Sequence, residues 1–172
     1  MRCVVADRPA AGVVILACGN PSRGDDALGP LLLQRLDDWL VATGRRGNFE
    51  LIEDFQFQIE HALDLQGRAL ALFIDAAVDA PPPYRFSELQ PDATPGHSSH
   101  ALPPAAVLAI YPRAVGAGAP PAPPAFVLGV RGERFALGEG LSDAAEAHAD
   151  AAFALLQSLC SAPGIAEWRA AV

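Results

Sequence analysis

The chain has 172 residues, of which 51% are hydrophobic, and a formal net charge of −8. This length and apolar content fit one domain with a substantial core. The acidic balance disfavours a nucleic-acid partner, because phosphate binding requires a basic surface, whereas it permits a metal ion or a basic peptide.

The sequence shows no signal for membrane insertion or export. No apolar run approaches the roughly 20 residues of a membrane-spanning helix, and charged residues interrupt residues 1–12, which therefore do not resemble a signal peptide. The three cysteines, Cys3, Cys18 and Cys160, are widely spaced and form no C-x-x-C motif, which indicates free thiols in a reducing compartment. We therefore expect a cytoplasmic protein without a membrane partner.

The first half of the chain predicts buried strands that alternate with helices. Short apolar runs predict strands at 13–18, 49–53 and 69–74. Apolar residues at helical spacing predict a helix over 26–41, and a shorter helix is expected over 59–65.

The second half continues the alternation. It predicts an edge strand at 85–89, a helix at 103–111 that begins with proline, a buried strand at 125–130 and a helix at 143–159 capped by Ser142. We therefore predict one α/β domain over residues 1–160, with a mostly parallel, twisted sheet of about five strands and helices on both faces. Residues 161–172 are expected to form a loose C-terminal tail.

Three aspartates come at or soon after the ends of predicted strands. Asp26 lies in the loop after the first strand, Asp54 follows the second and Asp75 ends the third. In open parallel sheets the working site lies beyond the carboxyl ends of the strands, so these carboxylates should converge. Each has a simpler interpretation, since a lone aspartate often caps a helix or bonds loop amides.

The segment after the first strand is the most informative motif. Gly19 permits a tight turn, Asn20 can bond loop backbone groups, and Asp25 and Asp26 form an acidic pair. A phosphate-binding loop is excluded, because its lysine pattern is absent and paired aspartates would repel phosphate. One aspartate suffices for a cap, so the second is free for other work, and the adjacent charges favour a nearby cation.

Two further segments carry polar groups with possible roles. His97 and His100 lie three residues apart in the polar loop before the 103–111 helix, and neutral imidazoles beside carboxylates are a common divalent-metal arrangement. Gln56 lies in the alternating aromatic and polar segment that follows Asp54. The simplest interpretation of His61 is a partly exposed helical histidine without a functional role, and His148 is expected to be structural or exposed.

Together these motifs resemble the nickel–iron hydrogenase maturation endopeptidases. The family has a glycine–asparagine after its first strand, an acidic pair, an aspartate after the second strand, an Asp-Ala strand end and a Thr/Ser-rich segment that ends in histidine. Here these are Gly19-Asn20, Asp25-Asp26, Asp54, Asp75-Ala76 and Ser98-Ser99-His100, in the same order over almost the whole chain.

The chain departs from the family pattern in two regions. Cys18 and Ala27 stand where glycines are usual, and Phe55-Gln56-Phe57-Gln58 replaces a stretch of glycine, threonine or serine. The second departure resembles the branch of the family that serves soluble, NAD-linked hydrogenases.

The resemblance implies an endopeptidase that removes the C-terminal extension of the hydrogenase large-subunit precursor after nickel insertion. It implies Asp26, Asp75 and His100 as nickel ligands, and Asp54 as a further acidic residue needed for activity. Nickel would arrive with the substrate, so no permanently bound metal is expected. The predicted catalytic carboxylates are Asp26, Asp54 and Asp75, and the predicted nickel ligands are Asp26, Asp75 and His100. The supporting residues are Gly19, Asn20, Asp25, Gln56 and His97.

The residues alone leave other functions open. The same carboxylates and histidines could hold a resident zinc or manganese in a metallohydrolase that acts on a small substrate, or could serve a non-catalytic nickel chaperone. Within the peptidase hypothesis, the metal, Asp26 or Asp54 could activate the water. No arrangement of a serine or cysteine nucleophile with a histidine is evident, so a covalent acyl-enzyme is not expected.

Overall fold

The computed structural model describes residues 12–92 and 102–172. Its centre is one five-stranded sheet, formed by β1 (Val13–Cys18), β2 (Phe49–Asp54), β3 (Leu70–Ala77), β4 (Tyr84–Glu88) and β5 (Ala125–Arg131). The strand order is β2-β1-β3-β5-β4, in which β4 alone is antiparallel and lies at an edge. The predicted mostly parallel α/β sheet and its edge strand are confirmed.

Helices cover both faces of this sheet, as predicted. They are α1 (Leu28–Ala42), α2 (His61–Asp64), α3 (Pro104–Val115), α4 (Asp143–Ser161) and α5 (Ile165–Ala170). The helices α1, α4 and α5 pack on one face, and the helices α2 and α3 pack on the other. Two apolar layers therefore sandwich the strands.

The strand β1 explains why the sheet forms at the centre of the molecule. All six of its residues are buried. Since side chains alternate across a strand, Ile15 packs into the α1 and α4 layer whereas Leu16 packs into the α2 and α3 layer. A continuous apolar run is what a strand with no polar face requires.

Two elements differ from the sequence-based boundaries near the site. The strand β3 continues beyond Asp75, because its backbone pairs with β5 as far as Ala77 opposite Arg131. Asp75 therefore lies within the strand and not at its end. The helix α2 is only one turn long. The residues before it form hydrogen bonds between positions three apart, as in a turn, and one of these joins the His61 amide to the Gln58 carbonyl (3.2 Å).

The C-terminal segment is not the loose tail that we expected. Residues 165–170 form the helix α5, and Trp168 is fully buried. Its ring packs edge-on against Phe126 at 5.3 Å between centroids, and its indole nitrogen donates to the Leu159 carbonyl at 3.0 Å. The prediction was wrong because it weighed position in the chain above the one large apolar side chain in the segment.

No helix among residues 12–92 and 102–172 has both the length and the apolar character needed to cross a membrane.

The burial of Trp168 yields a stability prediction. Trp168→Ala should lower the free energy of unfolding by about 3 to 5 kcal/mol, because it removes a large core side chain and leaves a cavity. Trp168→Phe should cost less, since it keeps one aromatic ring in the core, although it leaves a smaller cavity and removes the bond to Leu159. Urea unfolding of both variants measures this; an unchanged midpoint for the alanine variant would show that α5 does not dock in solution.

Candidate active site

The sheet places three site residues in one row at its carboxyl edge. Cys18 pairs with Asp54 in register, and Ala17 pairs with Ile74, so that Asp75 follows at the level of Cys18. Adjacent strands lie about 4.8 Å apart. The order β2-β1-β3 therefore sets Asp54, Cys18 and Asp75 side by side.

A cavity of about 370 Å³ opens at this row. Its lining residues are Cys18, Gly19, Asn20, Arg23, Asp26, Phe55, Gln56 and Asp75. The structure thus brings together Asp26 and Asp75, which the sequence analysis proposed as ligands and catalytic groups, with three of its supporting residues. His97 and His100 lie outside the described residues.

Gly19 determines how closely Asp26 approaches the end of β1. Its φ is +145°, and a Cβ atom at this position would lie 1.9 Å from the Asp26 carbonyl oxygen. The close contact lets the Asn20 amide donate to Asp26 Oδ2 at 2.9 Å. One carboxylate oxygen of Asp26 is therefore held by the turn, and the side chain faces the cavity.

Asp25 has a different task from that of its neighbour Asp26. It is completely buried, and its carboxylate accepts hydrogen bonds from the amides of Glu133, Arg134 and Ser142 and from the Ser142 hydroxyl, at 2.8 to 3.0 Å. Burial raises the pKa of Asp25, but the four hydrogen bonds outweigh it and leave the pKa below its usual value. Asp25 therefore supports the site by tying the loop after β5 to the loop after β1.

The acidic pair yields a matched prediction. Asp25→Asn should lower the free energy of unfolding at pH 7 by about 2 to 4 kcal/mol, because it removes the charge that accepts four hydrogen bonds and turns an amide NH2 towards backbone donors. Asp26→Asn should change it by less than about 1 kcal/mol, since that carboxylate accepts one bond at a partly exposed position. Chemical denaturation of both variants tests this; equal losses of unfolding free energy would show that the two carboxylates do not have these different roles.

Asp75 carries a perturbed carboxylate next to a thiol. Burial raises its pKa to about 6, bonds from the Cys18 thiol and the Ala76 amide act in the opposite direction, and the charge of Asp26 raises it further. The pKa of Cys18 is raised, chiefly by burial and then by Asp75, so Cys18 remains a thiol that donates to the carboxylate. A carboxylate held at such a cost in free energy is typical of a functional position.

The raised pKa of Asp75 makes stability depend on pH. The protonated Asp75 side chain contributes stability that is fully present below pH 3.8, the pKa in the unfolded chain. This stability is lost as pH rises through about 6, because the folded protein must then bury an ionised carboxylate. Asp75→Asn should therefore raise the free energy of unfolding at pH 8 by about 2 kcal/mol, and the gain should shrink as pH falls from 6 towards 4. Thermal unfolding across that range measures the difference; a gain that is independent of pH would contradict the assignment.

Asp54 differs from the other two aspartates, since it does not line the cavity. Its Oδ1 accepts from the Phe55 amide at 2.6 Å, and its Oδ2 accepts from the Gln58 side chain at 3.4 Å and faces His61 Nε2 at 3.6 Å. The backbone amide of Gln58 donates to His61 Nδ1 at 2.9 Å. Nε2 is therefore the protonated nitrogen of the neutral ring, and it is this nitrogen that faces Asp54. The catalytic role of Asp54 remains a prediction, and its contacts show a group that holds the loop 55–58.

His61 is a residue that sequence reasoning underestimated. We expected partial exposure, but it is buried and lies edge-on to Phe57, with 6.2 Å between the ring centroids. Phe57 in turn packs against Phe73 of β3 at 5.2 Å. The seven-residue spacing from Asp54 to His61 predicts their contact only if the intervening residues are known to form a tight turn.

Cys18 is the second residue that sequence reasoning missed. Burial and the charge of Asp75 raise the pKa of this thiol, whereas the Phe57 amide lowers it. The two departures from the family pattern, at position 18 and at 55–58, therefore lie together in one apolar cluster and one cavity. The register of β1 between β2 and β3 is the signal that would have revealed this.

A larger cavity of about 540 Å³ lies elsewhere, between α1 and β2. It is lined mainly by apolar side chains with Asp37, Arg46 and Glu53, and Arg46 forms an ion pair with Asp37. None of Asp26, Cys18, Asp54 or Asp75 lines it. We place the site in the smaller cavity, because it is there that carboxylates from separate strands meet.

A complete metal site is not present within the described part of the chain. There, no group of three histidine, cysteine, aspartate or glutamate side chains is arranged to hold an ion. Asp26 and Asp75 supply two of the three predicted ligands, and the third, His100, falls outside those residues.

The sheet and its cavity define an α/β protein with an acidic site at the carboxyl edge of parallel strands. Comparison with solved structures is more specific. Over 88% of this chain and 93% of the other, it superposes on the NiFe hydrogenase maturation protease HycI from Thermococcus kodakarensis KOD1 (23% identity, TM-score 0.63) and on the hydrogenase maturating endopeptidase HybD from E. coli (22% identity, TM-score 0.67).

A third neighbour is the hydrogenase 2 maturation peptidase from Thaumarchaeota archaeon SCGC_AB-539-E09, with 20% identity over 87% of this chain and 97% of the other and a TM-score of 0.57. No family model matches the chain, and no curated protein matches its sequence. The chain therefore has the fold of the hydrogenase maturation proteases, as the motif order predicted.

Proposed function

We propose that this protein is an endopeptidase that removes the C-terminal extension of a nickel–iron hydrogenase large-subunit precursor in the cytoplasm. The observation that carries the proposal is the meeting of Asp26 and Asp75 in one cavity at the carboxyl edge of the sheet. The shared fold with proteins named as hydrogenase maturation proteases supports it. The segment 55–58 favours, as the substrate, the precursor of a soluble, NAD-linked hydrogenase.

The charge distribution in the cavity suits a cation that arrives with the substrate. Asp75 has a pKa of about 6, so near neutral pH it is ionised at a position where burial opposes the charge. A divalent ion between Asp26 and Asp75 would relieve that cost. Nickel carried by the precursor, with His100 as the predicted third ligand, would thus be both the recognition element and the anchor.

Nickel coordination would convert recognition into positioning. An ion held by two carboxylates fixes the scissile peptide relative to the cavity, which replaces a loose encounter by a defined geometry. The ion can also polarise a carbonyl oxygen or activate water. The contacts of Asp54 with Phe55, Gln58 and His61 favour the metal or Asp26 for this step, because Asp54 is engaged outside the cavity.

A processing assay with two forms of the precursor tests the proposal. The wild-type protein should shorten the nickel-loaded precursor, leave the nickel-free precursor intact, and release one C-terminal peptide that mass spectrometry detects. Asp26→Asn and Asp75→Asn should lower kcat/KM at least about 100-fold, because each removes a charged group from the reaction centre. Asp38→Asn, an exposed carboxylate on α1, is the matched control and should process normally.

Three outcomes would contradict the proposal. Near-normal processing by both site variants would show that these carboxylates are not the reaction centre. Purified protein that holds a stoichiometric metal and cleaves nickel-free substrate would favour the metallohydrolase with a resident ion. Binding of the loaded precursor without any loss of mass would favour the nickel chaperone.

A further inference from the structure

Three large apolar side chains stand exposed in loops at the edge of the sheet where the cavity opens. Phe55, Val78 and Leu137 are 71%, 64% and 76% exposed. They lie in the loops that leave β2, β3 and β5, all at the carboxyl edge of the sheet. We infer that this apolar rim is the docking surface for the apolar stretch of substrate polypeptide that flanks the bond to be cut, an inference that rests on the proposed function.

The rim is continuous with the cavity. Phe55 itself lines the cavity, so a chain that enters there passes over this ring. The loop that carries Leu137 is bonded to the segment beside the cavity: the Gly138 amide donates to the Ser22 carbonyl at 2.7 Å. Arg23, another lining residue, donates to the Phe135 carbonyl of the same loop at 3.4 Å.

Hydrogen bonds hold the backbone of the loops that carry Phe55 and Val78. The Phe55 amide is bound by Asp54, while Phe57, two residues on, is buried in the core. The Val78 carbonyl accepts from the Arg131 guanidinium at 2.6 Å. Because hydrogen bonds hold the backbone of these loops, a partner would bind a surface whose backbone is already formed.

The size of the cavity indicates why a polypeptide needs such a rim. A volume of about 370 Å³ corresponds to a side of about 7 Å, which holds about two residues of extended chain. The two residues joined by the scissile bond then fill the cavity, and the residues beyond them must lie outside it. Single exposed apolar residues are ordinary on protein surfaces, whereas three from separate loops at the edge where a cavity opens are typical of a binding site.

The test measures how tightly the precursor binds to rim variants. Phe55→Ser, Leu137→Ser and the double variant are compared with Val41→Ser, a control of similar exposure (62%) in α1, near the end of that helix remote from Asp26. The dissociation constant is measured with nickel-free precursor, which isolates contacts other than the metal, and KM and kcat are measured with nickel-loaded precursor.

Each single rim variant should raise the dissociation constant and KM about tenfold, and the double variant more, since each loses the burial of one large apolar side chain. The kcat of Leu137→Ser at saturating precursor should stay within about twofold, because that side chain does not line the cavity. Val41→Ser should match the wild type in both constants. Thermal unfolding of every variant should be unaltered, as the substituted side chains are exposed.

Three results would overturn the inference: a wild-type dissociation constant for the double variant, an equal loss for Val41→Ser, or a changed oligomeric state with unchanged precursor binding, which would assign the rim to a second copy of the chain. A wild-type protein that cleaves no precursor would remove the proposed function. The dissociation constants would still decide whether the rim docks that polypeptide.

Discussion

The buried carboxylate of Asp25 is the interaction on which the geometry of the site depends. It accepts four hydrogen bonds from residues 133–142, and Ser142, one of its donors, also caps α4 through the Ala145 amide at 3.2 Å. A single charge thus joins the turn after β1, the loop after β5 and the start of a long helix. Asp26 can face the cavity because its neighbour performs this structural task.

Much of the architecture follows from local sequence patterns. Continuous apolar runs predicted β1, β3 and β5, and helical spacing predicted α1 and α4, because burial on both faces or on one stripe leaves a clear periodic signal. The helix α5 left no such signal, since six residues are too few to show a period and their stability comes from one tryptophan in the core. The extension of β3 depended on pairing with β5, which is remote in sequence.

The candidate site was predictable in part for the same reason. The rule that working residues follow parallel strands selected Asp26 and Asp75, and the structure places both in one cavity. It could not separate Asp25 from Asp26, because adjacent identical residues differ only in their tertiary partners. It also could not show that Asp54 turns to His61, since a tight turn rather than a helix period brings these two residues together.

The position of Asp75 within β3 has a consequence for selectivity among ions. Its backbone is paired with Gly129 of β5 on one side, and β1 borders β3 on the other, so it is far stiffer than a ligand carried on a loop. The Asp26 turn is equally constrained by its contact with Gly19. Under the proposed function, two ligands on such rigid supports would adjust their separation less readily than ligands on loops. They would therefore favour ions of one radius and preferred geometry over others.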